Sequence, residues 1–227
     1  MDKDLKKQTK SKDRVRKHGE VFTAEREVKA MCDLVKDETE RIDSRFLEPA
    51  CGDGNFLAEI LSRKLAVVRK KYGRSHPDYE KNAVLAASSI YGVDILQDNV
   101  LACRERMFSI WDREYTAVCR KDCSEQTREA VRFIFSRNIV CGNALTLMCV
   151  NEQGVDTKEP IVFSEWAFIT GCQMQRCDYT FAELLAEEAP KAARQQSFLE
   201  PPAEEGHFLK RYVSHYKRVQ EHDEDRN

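Results

Sequence analysis

The sequence predicts an α/β fold, because short stretches with the pattern of buried strands alternate with longer stretches that have the pattern of amphipathic helices. A first strand is expected over 43–47, and a glycine turn and a helix over about 55–72 follow it. A second strand over 90–95 carries an acidic residue near its end. A third strand is expected over 138–141, after helices that begin near Asp98 and Glu125.

The glycine turn between the first strand and its helix has the features of a ligand site. Pro49 stops a helix from running through the strand end, and Gly52 and Gly54 permit positive φ and a close approach of ligand to backbone. Backbone N–H groups at a helix N-terminus favour a carboxylate or a phosphate. Glu48 adds an acceptor suited to an ammonium group. The stretch therefore predicts a ligand that carries both an amine and a carboxylate.

Length and charge limit the classes of function. The chain has 227 residues, enough for one sizeable domain with a core. Its formal net charge is −2, so any contact with DNA must be local. Residues 1–18 are basic and form a predicted N-terminal arm, which is either a solvated terminus or a segment that touches DNA phosphate.

The nine cysteines are scattered and include no C-x-x-C pair, and no histidine pair completes a zinc pattern. We therefore predict no metal site and interpret the cysteines as reduced thiols of a cytoplasmic protein. The sequence also has no apolar run of membrane length and no recognisable signal peptide, so we expect no membrane partner.

The string Glu-Pro-Ala-Cys-Gly-Asp-Gly-Asn-Phe-Leu at 48–57 closely resembles motif I of the S-adenosylmethionine-dependent DNA adenine-N6 methyltransferases of restriction–modification systems. This resemblance implies a Rossmann-like class I methyltransferase fold, with a parallel sheet covered by helices on both faces, and S-adenosylmethionine as the cofactor. The string at 19–24 is similar to motif X of that family, with Ala24 in the place of its proline. By position, Phe22 and Thr23 would face the methionine end of the cofactor.

Two further strings extend the resemblance along the chain to about residue 150. Gly-Val-Asp-Ile at 92–95 resembles motif II, which implies that Asp94 binds the ribose and Ile95 packs on the adenine. Gly-Asn-Ala-Leu at 142–145 resembles motif III with Asn143 in the place of an aspartate, and its side-chain oxygen would accept from the adenine amine. Glu48 would bind the ammonium group. The remaining implied cofactor contacts are Ala50, Cys51, Gly52, Gly54, Asn55, Phe56 and Ala144.

The chain departs from the family after the third strand. The family's catalytic N-P-P-Y string is missing from the sequence, and the Pro-Pro at 201–202 has no strand before it. Instead, a strand is expected over 161–168, and 172–179 returns against it in one interpretation. Thr180 and Glu183 have the capping-box spacing at the start of a helix over 180–189, and a polar helix is predicted over 208–221. We thus divide the chain into an arm (1–18), a cofactor-binding domain (19–170) and a helical C-terminal extension (171–227).

Three or four strands are recognisable, so the predicted sheet is incomplete. Residues 161–168 are the only candidate for the fourth strand, and a sheet edge left open would need a cover. We expect either the helices of 180–221 to fold back over it, or a second subunit to bind around Phe163, Trp166 and Phe168.

Three functions remain open at this stage. The chain is a DNA adenine-N6 methyltransferase subunit that needs a partner chain with N-P-P-Y for catalysis, a cofactor-binding pseudo-methyltransferase, or a truncated remnant of the family. In the first case DNA would be contacted mainly through the partner, and a homodimer is an alternative assembly. We expect the isolated chain not to methylate DNA, because no residue of the known motif holds the target amine.

Overall fold

The structure is a computed structural model that describes residues 23–188 and 209–222. The predicted basic arm and Phe22 lie outside these residues. The helices are α1 (Glu25–Leu34), α2 (Lys36–Thr39), α3 (Asn55–Tyr72), α4 (His76–Ser88), α5 (Gln97–Cys119), α6 (Glu125–Asn138) and α7 (Phe181–Glu188). Two short 3₁₀ segments span Arg120–Asp122 and Tyr216–His222. The predicted α/β class is confirmed.

The larger sheet has five strands in the order β1-β2-β3-β4-β5. These strands are β1 (Phe46–Glu48), β2 (Ile90–Asp94), β3 (Ile139–Asn143), β4 (Met148–Val150) and β5 (Asp156–Pro160). The first three are parallel, and β4 and β5 continue the sheet as an antiparallel meander. The sheet is therefore mixed, and β1 lies at its edge among the described strands.

The two faces of β2 contact different parts of the molecule, because side chains alternate along a strand. Ile90 belongs to the main apolar core with the buried stripe of α3, and Gly92 lies close to Leu57 of that helix. Tyr91 and Val93 belong instead to a second apolar cluster on the opposite face. The apolar stripe predicted for α3 is buried at Leu57, Ile60, Leu61, Leu65 and Val68, whereas Phe56, the first member of the predicted stripe, is only partly buried.

A second, antiparallel sheet covers the Tyr91 face. It contains β6 (Val162–Thr170), β7 (Gln173–Thr180) and β8 (Lys210–His215) in that order. Phe163 of β6 contacts Tyr91 edge to face, with ring centroids 5.6 Å apart. The Tyr91 hydroxyl donates to the backbone oxygen of Ser164 at 3.0 Å. The small sheet thus packs on β2 and does not extend the larger sheet.

Three expectations for the C-terminal part are corrected by this arrangement. Residues 161–168 are not a fourth strand beside β1. The predicted helix over 208–221 is wrong, because 210–215 pair with β7 and place Tyr212 opposite Arg176. The boundary at 170/171 falls inside the β6–β7 hairpin, so the described parts of 171–227, residues 171–188 and 209–222, do not form a separate helical extension. The spacing of apolar residues suggested a helix edge, but cross-strand pairing prevailed.

The aromatic residues expected at a subunit interface pack within the chain. Trp166 is 8% exposed, and its ring nitrogen donates to the side-chain oxygen of Asn138 at 3.0 Å. Phe163 is buried, and Phe168 packs against Tyr216 in the second 3₁₀ segment. These aromatic residues are therefore covered from within the chain by a sheet and a 3₁₀ segment, whereas no described strand covers the outer edge of β1. The other tryptophan, Trp111, is fully buried in the helical layer and stacks on Tyr115.

Two buried charged side chains, Lys64 and Glu80, connect segments that are distant in sequence. Lys64 of α3 donates to the backbone oxygens of Arg41 and Ile42 at 3.1 and 3.0 Å, and also to that of Ser44. The first strand begins at Phe46, later than predicted, opposite Ile90 at the start of β2. Glu80 of α4 accepts from Tyr216 at 2.5 Å and from Lys217 at 2.6 Å, which ties the C-terminal segment to the helical layer.

Candidate functional site

A cavity of about 1370 Å³ opens at the carboxyl ends of the three parallel strands. Ligands of open α/β sheets bind at this end, because loops from neighbouring strands meet there. The cavity is lined by most of the residues that the sequence analysis selected: Thr23, Glu48, Ala50, Cys51, Gly52, Asn55, Phe56, Asp94, Ile95, Asn143 and Ala144. Gly54 does not line the cavity, since its Cα faces Cys103 of α5, and Phe22 is outside the described residues.

The glycine turn has the backbone that the sequence predicts. Gly52 and Gly54 have φ of +53° and +85°. Gly54 is the N-cap of α3, and a Cβ atom there would lie 2.6 Å from the sulfur of Cys103. Only glycine fits this position, because both the left-handed backbone and the contact with α5 exclude a side chain.

Asp94 holds the turn in place from the end of β2. Its Oδ2 accepts the backbone N–H of Gly52 at 2.9 Å. Its Oδ1 accepts the N–H of Leu96 at 2.9 Å and the side-chain amide of Asn99 at 3.1 Å. A carboxylate offers about four lone-pair sites, so these three bonds leave room for about one ligand hydroxyl.

Asn143 has a similar double role at the end of β3. Its Oδ1 accepts the N–H of Leu145 at 3.0 Å, and its amide donates to Asp156 at 3.0 Å. The oxygen keeps a second lone pair, and it lines the cavity next to Ala144. An amino group of a ligand can therefore donate to this oxygen.

Among the cavity residues, Glu48 most clearly lacks a hydrogen-bond partner. Its Oε2 is buried and has no hydrogen-bond partner among the described residues, although the side chain lines the cavity. Burial, and then the nearby charges of Asp94 and Asp53, raise the pKa of Glu48 to about 8. A buried carboxyl in this state is stabilised by a cationic donor, because the cation restores the charged form and fills the lone pair.

Arg106 was not expected from the motifs, yet it braces the turn from α5. Its guanidinium donates to Asp53 at 3.0 Å and also binds the side-chain oxygen of Asn55. The two acceptors flank Gly54, so one side chain fixes both sides of the turn. Nothing local in the sequence links Arg106 to residues 51 and 53 positions earlier in the chain.

The helix α1 begins at Glu25, with Ala24 in the N-cap position and no side-chain bond to cap it. Thr23 lies one residue before the N-cap and lines the cavity. The cavity also has walls that the motifs did not indicate: Val28, Met31, Leu47, Tyr91, Phe163, Phe181, Leu184 and Leu185.

Comparisons of the chain with protein-family models, with curated proteins and with solved structures find no match in any of the three. Within residues 23–188 and 209–222, no helix is both long and apolar enough to span a membrane. The described part of the chain has no group of three or more His, Cys, Asp or Glu side chains suited to a metal ion.

Proposed function

We propose that this chain binds S-adenosylmethionine in the cavity, as the cofactor-binding subunit of a Rossmann-like DNA adenine-N6 methyltransferase. The observation that carries the proposal is the buried, unpartnered Oε2 of Glu48 beside the glycine turn. The cofactor's amino-acid end supplies an ammonium group for Glu48 and a carboxylate for the N-terminus of α3. When bound, it supplies an activated methyl group.

The charge of the cavity supports a ligand with a net positive charge. Four acidic side chains are among the described lining residues: Glu48, Asp53, Asp94 and Glu165. Asp53 is paired with Arg106 and Glu165 with Arg45, so Asp94 and the ionised form of Glu48 are the carboxylates of this set without a cationic partner. S-adenosylmethionine carries an ammonium and a sulfonium against one carboxylate, so the signs are complementary. Asp94 and Asn143 retain acceptor capacity for a ribose hydroxyl and for the adenine amine.

The role as a subunit follows from what the chain lacks. The N-P-P-Y string is missing from the sequence, and no described strand pairs with the outer edge of β1. We propose that a second chain supplies this string and contacts DNA, in the manner of restriction–modification enzymes, in the cytoplasm. The same two observations favour a second candidate, a cofactor-binding pseudo-methyltransferase without catalytic activity.

Calorimetric titration with S-adenosylmethionine tests the cofactor site. We expect Glu48→Gln to weaken binding about ten- to a hundredfold, because a hydrogen bond to a charged group contributes about 1.5–3 kcal/mol. The matched control is Glu159→Gln, on the exposed surface of β5, which should leave affinity unchanged. Equal affinities of the wild type and Glu48→Gln would refute the assignment of Glu48.

The raised pKa of Glu48 predicts a distinctive pH dependence. Binding of an ammonium group requires the carboxylate, so affinity should increase as the pH rises toward about 8. The stability of the free protein should change with pH in the opposite direction. Between pH 4.5 and about 8 Glu48 keeps its proton in the folded protein but loses it in the unfolded chain, so the free energy of unfolding decreases as the pH rises through this range. Glu48→Gln should abolish both trends, which titrations and urea unfolding across this range would measure.

A methylation assay separates the two candidate functions. With labelled cofactor, the pure chain should not methylate DNA, whereas the chain co-expressed with a partner that carries N-P-P-Y should do so. Cofactor binding without methylation in either preparation would favour the pseudo-methyltransferase. Robust labelling of DNA by the pure chain would refute the need for a partner.

A further inference from the structure

The outer edge of β6 is the longest strand edge that no described strand pairs with. β6 has nine residues, whereas the other edge strands, β1, β5 and β8, have three, five and six. Lys158 and Pro160 in β5, and Lys210 and Arg211 in β8, are residues that hinder the addition of another strand. β6 has Glu165 as its single charged residue and contains no proline. Among the described edges, this one is therefore best suited to pair with a further strand.

The backbone groups of β6 that point away from β7 are identified by two hydrogen bonds. The backbone oxygen of Ser164 accepts from the Tyr91 hydroxyl at 3.0 Å. Asp178, which lies opposite Ser164, accepts at 2.7 Å from the segment that leads into β8. Because these directions alternate along a strand, Trp166 and Phe168 also direct their N–H and C=O groups to the outer edge. No backbone hydrogen bond from outside the small sheet reaches these two residues within the described part of the chain.

A groove of about 460 Å³ lies beside this edge. Its lining joins residues 166–168 of β6 to Asp43, which precedes β1, and to Leu85 of α4. Asp43 and Ala167 are exposed and Phe168 is half-buried, so a ligand can reach this lining. The volume suits a few residues of an extended chain, since pockets for single small ligands span roughly 300–1,000 Å³. The groove and the cofactor cavity are distinct, and they share three lining residues: Arg45, Tyr91 and Glu165.

The groove carries a negative charge. Its described lining has two carboxylates, Asp43 and Glu165, against one guanidinium, Arg45. Arg45 is paired with Glu165, which leaves the exposed carboxylate of Asp43 for a cation from outside the chain. A positively charged side chain on the bound segment would complement this charge.

We propose that the outer edge of β6 and its groove bind an extended segment of another protein chain, which adds a strand to the small sheet and places a lysine or arginine beside Asp43. In this mode of recognition the main-chain hydrogen bonds supply affinity and the side-chain contacts supply specificity. Trp166 and Phe168 offer the main-chain groups, and Asp43 selects the sign of the charge. The site goes beyond the proposed function, because it needs no residue of the cofactor strings.

A fluorescein-labelled peptide, Thr-Val-Thr-Lys-Thr-Val-Thr, is a suitable probe, since it favours an extended backbone and has a central cation. Fluorescence anisotropy measures its binding to the full chain. Two further peptides carry N-methyl groups at alternate residues, one peptide at the odd and the other at the even positions. Only one set of N–H groups can face β6, so one of the two should bind at least tenfold more weakly and the other like the parent.

The position of the peptide is tested by its lysine and by Asp43. Asp43→Asn should weaken binding of the parent peptide about threefold, because the ion pair lies near the surface. It should not affect a peptide with norleucine in place of lysine. The matched control is Asp37→Asn, an exposed carboxylate on α2 outside the groove, which should bind both peptides like the wild type.

Four results would overturn the proposal. Equal affinities of the two N-methylated peptides would exclude strand pairing, and no binding of the parent peptide at millimolar concentration would exclude the site. Equal effects of Asp43→Asn on the lysine and norleucine peptides would place the probe elsewhere. A dimer of the chain that the peptide dissociates would show that the edge binds a second copy of this chain instead. Each of these measurements is made without cofactor, so the result is independent of the cofactor proposal.

Discussion

Asp94 and Asp178 are both buried carboxylates, but the two regions that contain them use the charge in different ways. At the end of the parallel strands, Asp94 accepts from two backbone N–H groups and one amide, and meets no cation in these bonds. In the antiparallel sheet, Asp178 is bound by Arg176 at 2.6 and 2.8 Å, by Arg137 at 3.2 Å and by Ser164 at 2.6 Å.

The region around Asp94 is therefore suited to binding a ligand, and we call it the binding region. The region around Asp178 holds a helix and two strands together, and we call it the bracing region. A carboxylate that orders loops through backbone N–H groups keeps capacity for a ligand, and its charge stays available to the cavity. A carboxylate enclosed by two guanidinium groups has no such capacity, and it joins α6 to β6 and β7 instead. Glu48, with its unpartnered oxygen, lies in the first region.

The bracing region should show the largest effect of a single substitution. We expect Asp178→Asn to lower the free energy of unfolding by about 3–5 kcal/mol, because it leaves the buried Arg176 without its counter-charge. Urea unfolding measures the change. The control is Glu105→Gln, whose ion pair with Arg132 is exposed and should contribute little. A loss below that of the control would mean that Asp178 does not brace the sheet.

The binding region should show a smaller effect that depends on the position within the turn. We expect Gly54→Ala to lower the free energy of unfolding by about 2–3 kcal/mol, because it combines a left-handed backbone with a clash against Cys103. Gly52→Ala should cost only about 1 kcal/mol, since no atom lies within 4 Å of its Cβ position. Urea unfolding of the pair would contradict the geometry if Gly52→Ala were the more damaging change.

The smallest effect concerns the charge balance of the turn. We expect Arg106→Gln to weaken S-adenosylmethionine binding about fivefold, or about 1 kcal/mol, because it leaves Asp53 without a cation near the cofactor carboxylate. Asp53→Asn in the same chain should restore most of the loss. Calorimetric titration of the four proteins of this cycle measures the coupling. Equal losses in the single and double variants would indicate a general distortion of α5 instead.

Much of the parallel region was predictable, because its signals are local. The strand ends, the glycine turn and the stripe of α3 are each contained in about a dozen consecutive residues. The capping box of α7 was predictable for the same reason, as Thr180 and Glu183 are three residues apart. Most of the residues predicted to contact a cofactor, though not Gly54 or the undescribed Phe22, line one cavity because neighbouring parallel strands end on the same side of a sheet.

The antiparallel region was not predictable in the same way. Its contacts join residues far apart in sequence, such as Arg137 with Asp178, or Glu80 with Tyr216, which are 136 residues apart. Tyr212 and Val213 fit the edge of a helix as well as a strand, and only pairing with β7 decides between the two. The apolar wall of the cavity was missed because Phe163 and Phe181 come from this region.

The two tryptophans are intrinsic fluorescence probes of two different parts of the molecule. Trp111 is stacked on Tyr115 in the helical layer, and Trp166 belongs to β6 of the antiparallel sheet. Because the chain has only these two tryptophans, its fluorescence is the sum of one emitter in the helical layer and one in the antiparallel sheet. Replacement of either by phenylalanine leaves the spectrum of the other alone, and the two spectra show whether the helical layer and the antiparallel sheet melt together or in succession.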